Sequence, residues 1–112
     1  MDIKIQVWLL DIQQCIDEIF LFLGPEPDFK AYQLDLKTKK AVERNLEIMG
    51  EAMKRIIRAD SSIQINNALN IIGTRNRIVH GYDSISDEVI FTIVCQDLPK
   101  LRVEIENLMG AG

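Results

Sequence analysis

The segment 75–82 combines residue types that can carry out phosphate and proton chemistry. Arg75 stands five residues before His80, the only histidine of the chain, and Tyr82 follows two residues later, in the spacing R-x4-H-x-Y. A planar guanidinium suits a phosphate, and a histidine takes or gives a proton near neutral pH. The pair therefore fits metal-independent RNA cleavage, in which the imidazole helps a 2′-hydroxyl attack the adjacent phosphate and the guanidinium stabilises the developing charge.

A single histidine cannot serve as both the base and the acid of this reaction at the same time. If His80 acts as the base, the departing 5′-oxygen still needs a proton, and one chain offers no second imidazole. A twofold dimer with this surface at its axis supplies two histidines and two arginines in one cleft. The chemistry therefore predicts a homodimer with a composite site.

Helical spacing leaves the role of these residues open. On a helical wheel Asn76 and His80 continue a stripe formed by Ile65, Leu69 and Ile72, with Arg75 at its border. In one interpretation His80 is a core or cap histidine that Asn76 supports. In the other, this end of the stripe opens into a cleft where Asn76 orients the catalytic histidine. Spacing alone favours the structural interpretation, because most lone histidines are not catalytic.

Apolar periodicity predicts the elements that must position this segment. Helices are expected over residues 2–23, from 35–38 to about 59, from about 63 to 80, and from 87 to about 109. Pro99 predicts a kink or split in the last helix near residues 97–98. The predicted fold is all-α, an antiparallel up-and-down bundle of four main helices. Residues 29–35 are expected to form a connector anchored by Phe29, Tyr32 and Leu34.

The first predicted helix carries more apolar residues than one packing face uses. Its main stripe consists of Ile5, Trp8, Ile12, Ile16, Ile19 and Leu23. This stripe is widened by Val7, Leu9, Leu10, Phe20 and Phe22. A wide stripe indicates a second packing partner.

Composition excludes several classes of protein. With 112 residues and a net charge of −4, the chain suits one domain and does not resemble a generic nucleic-acid coat protein. No apolar run is long enough to cross a membrane. One histidine and two separated cysteines, Cys15 and Cys95, argue against a zinc site, so no metal or cofactor is expected. Both cysteines are predicted to be core residues of a reduced, cytoplasmic protein.

Taken together, these segments resemble the HepT family of toxins in the HEPN superfamily. Residues 75–82 match that family's R-x4-6-H-x-Y motif, including the polar Asn76 directly after the arginine. Residues 45–52 look like its helix-two signature, residues 72–76 like the run into the motif, and residues 97–101 like its last helix. The likeness spans nearly the whole chain and implies a single HepT-like domain over residues 1–112.

The resemblance also implies function and partners. It predicts the toxin of a type VII toxin–antitoxin system, a dimeric endoribonuclease with Arg75 and His80 at its site. The implied partner is an MntA-like minimal nucleotidyltransferase antitoxin, which silences the toxin by moving AMP from ATP onto the motif tyrosine, here Tyr82. Two alternatives remain: a non-catalytic helical subunit that binds a nucleotide or docks on the transferase, and a helical dimer with a structural histidine.

Overall fold

The computed structural model describes residues 1–80 and 86–111, apart from the side chains of His80 and Ala111. All regular secondary structure in these residues is helical, which confirms the predicted all-α bundle. The helices are α1 Ile3–Leu23, α2 Phe29–Leu34, α3 Leu36–Ala59, α4 Ala68–His80, α5 Asp87–Thr92 and α6 Leu98–Ala111, with a π-helical segment, Ile93–Asp97, between the last two. Within the described residues, no helix combines the length and apolarity that crossing a membrane requires.

The long helix α3 is the centre of the bundle, because α1 and α4 both pack on it. Its apolar stripe faces inward, where Ile57 is partly buried and the others are fully buried, namely Val42, Leu46, Met49, Met53 and Ile56. Burying a side chain of this size contributes roughly 1.5–3 kcal/mol. The bundle measures only 19 Å in its shortest direction, which leaves room for two layers of helices. Each helix therefore keeps an outer side in solvent.

Helix α1 divides its apolar residues between the core and its outer side. Its inner side is buried, and the predicted stripe there gains Leu9 and Cys15. Burial of the Cys15 thiol raises its pKa to about 12, so this cysteine is unreactive. The outer side carries Ile3, Val7 and Leu10, which are 75%, 48% and 50% exposed. Some of the additional apolar residues of α1, for which a second packing partner is predicted, thus lie on the surface of the protein.

Two predicted core positions are wrong. Leu34, expected to anchor the connector, is 78% exposed, because residues 29–34 form a short helix that turns Tyr32 inward instead. Phe29 and Tyr32 contact Phe91 of α5 through their rings. Cys95, also expected in the core, is exposed, because the π-helical segment directs its neighbour Val94 inward.

The third main helix begins later than predicted, at Ala68 rather than near Ile63. Asn67 has a φ of 63°, which is left-handed and interrupts any helix from Ile63 onward. The backbone N–H of Asn66 donates to Glu104 Oε2 at 2.9 Å, so its partner is a side chain of α6 and not a helical carbonyl. The left-handed Asn67 and a hydrogen bond to the distant helix α6 therefore override the apolar pattern that Ile63 and Ile65 suggested.

The last main helix is irregular where Pro99 predicted. A proline lacks the N–H that would continue an α-helix, so the backbone before it must use other partners. Ile93–Asp97 is π-helical, and the N–H of Leu98 bonds to the carbonyl of Ile93, five residues back. The expected irregularity near residues 97–98 takes the form of a widened turn.

The cap of α3 supplies a test of pH dependence. Asp35 accepts hydrogen bonds from the Thr38 hydroxyl at 2.7 Å and from the Thr38 N–H at 3.1 Å, and these bonds lower the pKa of its carboxyl group. A lowered pKa stabilises the folded state above the ordinary aspartate pKa, and this stability is lost as the pH falls through the lowered value.

We therefore expect Asp35→Asn to reduce the difference in free energy of unfolding between pH 6 and pH 2.5, measured by urea denaturation. Thr38→Val, which removes the hydroxyl donor, should act in the same direction. An unchanged pH dependence in both variants would contradict this account of the cap.

Candidate functional site

Arg75 lies where α4 approaches α3 most closely. A Cβ added to Gly50 of α3 would overlap the Cβ and Cγ atoms of Arg75 and would lie 3.3 Å from the carbonyl oxygen of Ile71. Only glycine leaves space for the arginine stem at this point. The sequence of α3 therefore fixes how near the backbone of Arg75 comes to the centre of the bundle.

The Arg75 guanidinium is held by two polar partners. Its Nη2 lies 3.1 Å from Glu51 Oε2, and its Nη1 donates to Asn76 Oδ1 at 2.9 Å. The side chain is only 20% exposed, and its Nε is buried without a hydrogen-bond partner among the described residues. An arginine carries five N–H donors. One hydrogen on each terminal nitrogen therefore stays available for a ligand while the group is held.

Asn76 differs from its predicted position. The buried side of α4 is formed by Ala68, Ile71 and Thr74, whereas Leu69 is 80% exposed. On the helical wheel Asn76 lies about 20° from Leu69, so the prediction that these two residues lie on the packing side of α4 is wrong, although Ile72 packs partly against the core. The prediction fails because α4 is short and has isoleucines on more than one side. Asn76 supports Arg75 directly.

The other predicted site residues can be located only in part. The backbone of His80 ends α4, but its side chain and all of Tyr82 lie outside the described residues. The roles predicted for His80 as acid and base, for Asn76 as its orienting group and for Tyr82 as a modified residue therefore stay predictions. Arg77, on the same helix, is exposed.

A groove of about 320 Å³ runs between α1, α3 and α4 at Arg75. Besides Arg75, it is lined by Arg44 and Arg55 and by the carboxylates of Asp11, Glu47 and Glu51. Glu47 pairs with Arg44 at 3.0 Å, and Glu51 Oε1 lies 3.6 Å from Arg55 Nε.

The apolar part of this lining comes from all three helices, namely Trp8, Ile48, Ala52 and Val79. The groove thus offers donors, acceptors and apolar surface beside the motif arginine.

Sequence reasoning did not single out Glu51 or Trp8. Glu51 stands between Gly50 and Ala52, and an acidic residue flanked by two small ones at a close helix approach could have marked it. Its apolar spacing marks Trp8 only as a member of the stripe of α1. Nothing local to Trp8 indicates that a groove passes it, because the groove depends on three helices that are distant in the chain.

Comparison with known proteins identifies the family. The sequence profile described as Ribonuclease HepT-like matches residues 12–108. The chain belongs to the HepT-like ribonucleases. This membership confirms the resemblance read from residues 75–82 and the three accompanying segments, and it supports an RNase function at the level of the family.

Individual relatives cover nearly all of this HepT-like chain. A probable ribonuclease HepT of Thermococcus cleftensis is 32% identical over 105 residues, 90% of this chain and 92% of the relative. Two proteins of Methanocaldococcus jannaschii, each provisionally named an RNase, are 30% and 29% identical, over 91% and 94% of this chain and 94% and 87% of their own lengths. No solved structure matches the chain significantly.

The ion pair between Glu51 and Arg75 is expected to contribute measurably to the free energy of unfolding. Glu51→Gln removes the charge that faces a largely buried guanidinium, and we expect it to lower the free energy of unfolding by about 1 kcal/mol. Glu47→Gln is the matched control, since it removes the same charge from the same groove, but its partner Arg44 is 70% exposed. That variant should change the free energy by less than about 0.5 kcal/mol.

Urea denaturation followed by circular dichroism measures both variants. Equal losses in the two would contradict the distinction between the buried and the exposed pair.

Proposed function

We propose that this protein is the toxin of a type VII toxin–antitoxin system and a metal-independent endoribonuclease. The observation that carries the proposal is the placement of Arg75. The motif arginine borders a groove, is held by Glu51 and Asn76, and keeps two N–H donors for a phosphate. Membership of a ribonuclease family supports the same reaction class.

In the proposed reaction His80 removes the proton from a 2′-hydroxyl, whose oxygen attacks the adjacent phosphorus. The bond from phosphorus to the 5′-oxygen breaks, and the 5′-oxygen takes a proton from the histidine of a second copy. The products are a 2′,3′-cyclic phosphate and a 5′-hydroxyl. Arg75 stabilises the negative charge on the phosphate oxygens as the bonds change.

The proposed assembly is a homodimer, with residues 1–112 as one HepT-like domain in each copy. Two observations support a second copy. The chain has a single histidine for a reaction that needs both a base and an acid. The outer side of α1 exposes Ile3, Val7 and Leu10, an apolar row suited to a partner. We place the protein in the cytoplasm with its RNA substrate.

Purified protein tests the nuclease directly. We expect wild type to cut single-stranded RNA in the presence of EDTA, and we expect His80→Ala to be slower by about 100-fold or more, because general acid–base catalysis contributes at least that factor. Arg75→Ala should be impaired similarly. Arg77→Ala is the matched control, since this exposed arginine lies two residues away on the same helix, and it should retain most of the activity.

Equal RNA decay by wild type and His80→Ala would overturn the role of His80. Absence of decay by wild type, together with a stable complex with a nucleotidyltransferase, would favour a non-catalytic docking subunit.

We further propose that an MntA-like minimal nucleotidyltransferase neutralises the toxin at Tyr82. The tyrosine oxygen attacks the α-phosphorus of ATP, an ester bond forms, the phenolic proton is lost and pyrophosphate departs. The chain has two tyrosines, and the other, Tyr32, is 3% exposed and packed against Phe91. Burial raises the pKa of Tyr32 above its ordinary value, which makes it a poor nucleophile.

Intact mass spectrometry after incubation with the transferase and ATP tests this step. We expect the mass of at least one added adenylate on wild type and on Tyr32→Phe, and none on Tyr82→Phe. A modified Tyr82→Phe protein would remove Tyr82 from the site.

A further inference from the structure

The groove beside Arg75 has a composition that phosphate binding alone does not explain. Three arginines and three carboxylates line it, so its formal charge is zero. Each arginine also has a carboxylate partner, at 3.1 Å for Arg75, 3.0 Å for Arg44 and 3.6 Å for Arg55. A neutral groove does not concentrate a chain of phosphates. It suits an uncharged group with polar edges.

The apolar lining indicates the shape of that group. Trp8, the only tryptophan of the chain, lines the groove and is half-buried, with the rest of its surface packed against the core. Ile48 and Val79 line the same groove and are 37% and 46% exposed. A half-buried indole is fixed by its packing and still presents surface to a ligand. Together these side chains form an apolar wall beside polar groups.

A nucleic-acid base has the matching chemistry. Proteins that bind single-stranded RNA stack its bases on aromatic side chains and hydrogen-bond the base edges. Arginine donors and carboxylate acceptors are the usual partners of those edges. The volume, about 320 Å³, falls in the range of small-ligand pockets.

The groove also lies next to the motif. Arg75 borders it and is followed one turn later by Val79, the residue before His80. A base held in the groove would therefore lie beside the phosphate that Arg75 binds.

We propose that this groove is a base-binding subsite, in which one base of single-stranded RNA stacks on Trp8 beside the cleaved phosphate. The subsite rests on the proposed nuclease function, because it assigns to that reaction a substrate with an unpaired base at the cut. It predicts that duplex RNA, whose bases are stacked on one another, does not occupy the groove.

Because Trp8 is the only tryptophan of the chain, the tryptophan fluorescence of the protein reports on the groove. The probe is a 2′-O-methyl RNA octamer, which can bind but cannot be cut, because its 2′-oxygens carry no proton to lose. We expect the octamer to quench the fluorescence of wild-type protein in a saturable manner, and the duplex form of the octamer to leave it unchanged. Binding of both forms is followed independently by the anisotropy of a dye on the RNA.

Variants separate stacking from folding. Trp8→Ala should raise the Kd of the labelled octamer about tenfold or more, which is the usual effect of losing one stacked base. Trp8→Phe keeps a flat ring, so its Kd for the octamer should stay within about threefold of the wild-type value. This variant keeps the test decisive if Trp8→Ala does not fold. Phe22→Ala is the matched control, since Phe22 is a 44% exposed aromatic residue of the same helix outside the groove. It should bind the octamer like wild type.

The outcomes distinguish this inference from the function on which it rests. If wild type cuts RNA and binds the octamer, but its fluorescence is unchanged or folded Trp8→Ala binds equally well, the subsite is overturned and the nuclease stands. Equal quenching by the duplex also overturns the subsite. If wild type neither cuts RNA nor binds the octamer, both proposals fail.

Discussion

The ion pair between Glu51 and Arg75 sets the main constraint on this bundle. A guanidinium that is 20% exposed has lost much of its hydration, which is unfavourable unless other groups replace the lost water. Glu51 supplies the charge and Asn76 a second acceptor, while Gly50 leaves space for the arginine stem. α3 must therefore present a glycine and a glutamate in succession, and α4 must meet it at that position.

The rest of α4 is adapted to this close contact. Its packing side is built from Ala68, Ile71 and Thr74, of which two are small. The Thr74 hydroxyl is buried and donates to the carbonyl of Asn70 at 2.8 Å, so its polar atom is satisfied within its own helix. Larger side chains on this side would hold α4 away from α3 and lengthen the distance from Arg75 to Glu51.

The sequence predicted the features that depend on local patterns. The stripe of α3 and the Ser86 cap of α5 follow from local patterns, because one-sided apolar spacing and a serine before two acidic residues are unambiguous. The packing side of α4 does not follow from such a pattern, since its apolar residues lie around most of the helix and only contact with α3 selects one side.

The motif arginine was predictable from R-x4-H-x-Y, whereas the other lining residues were not. Glu51 and Trp8 join Arg75 only through packing of three helices that are far apart in the chain.

The apolar outer side of α1 has a consequence for the concentration at which a paired form would be active. Ile3, Val7 and Leu10 meet water in a lone protomer and would leave it on pairing. Below the dissociation constant of such a pair, assembled sites increase with the square of the protomer concentration. If the protein pairs in this way, a low concentration of protomers would give little activity, and activity would rise steeply once the protomers accumulate.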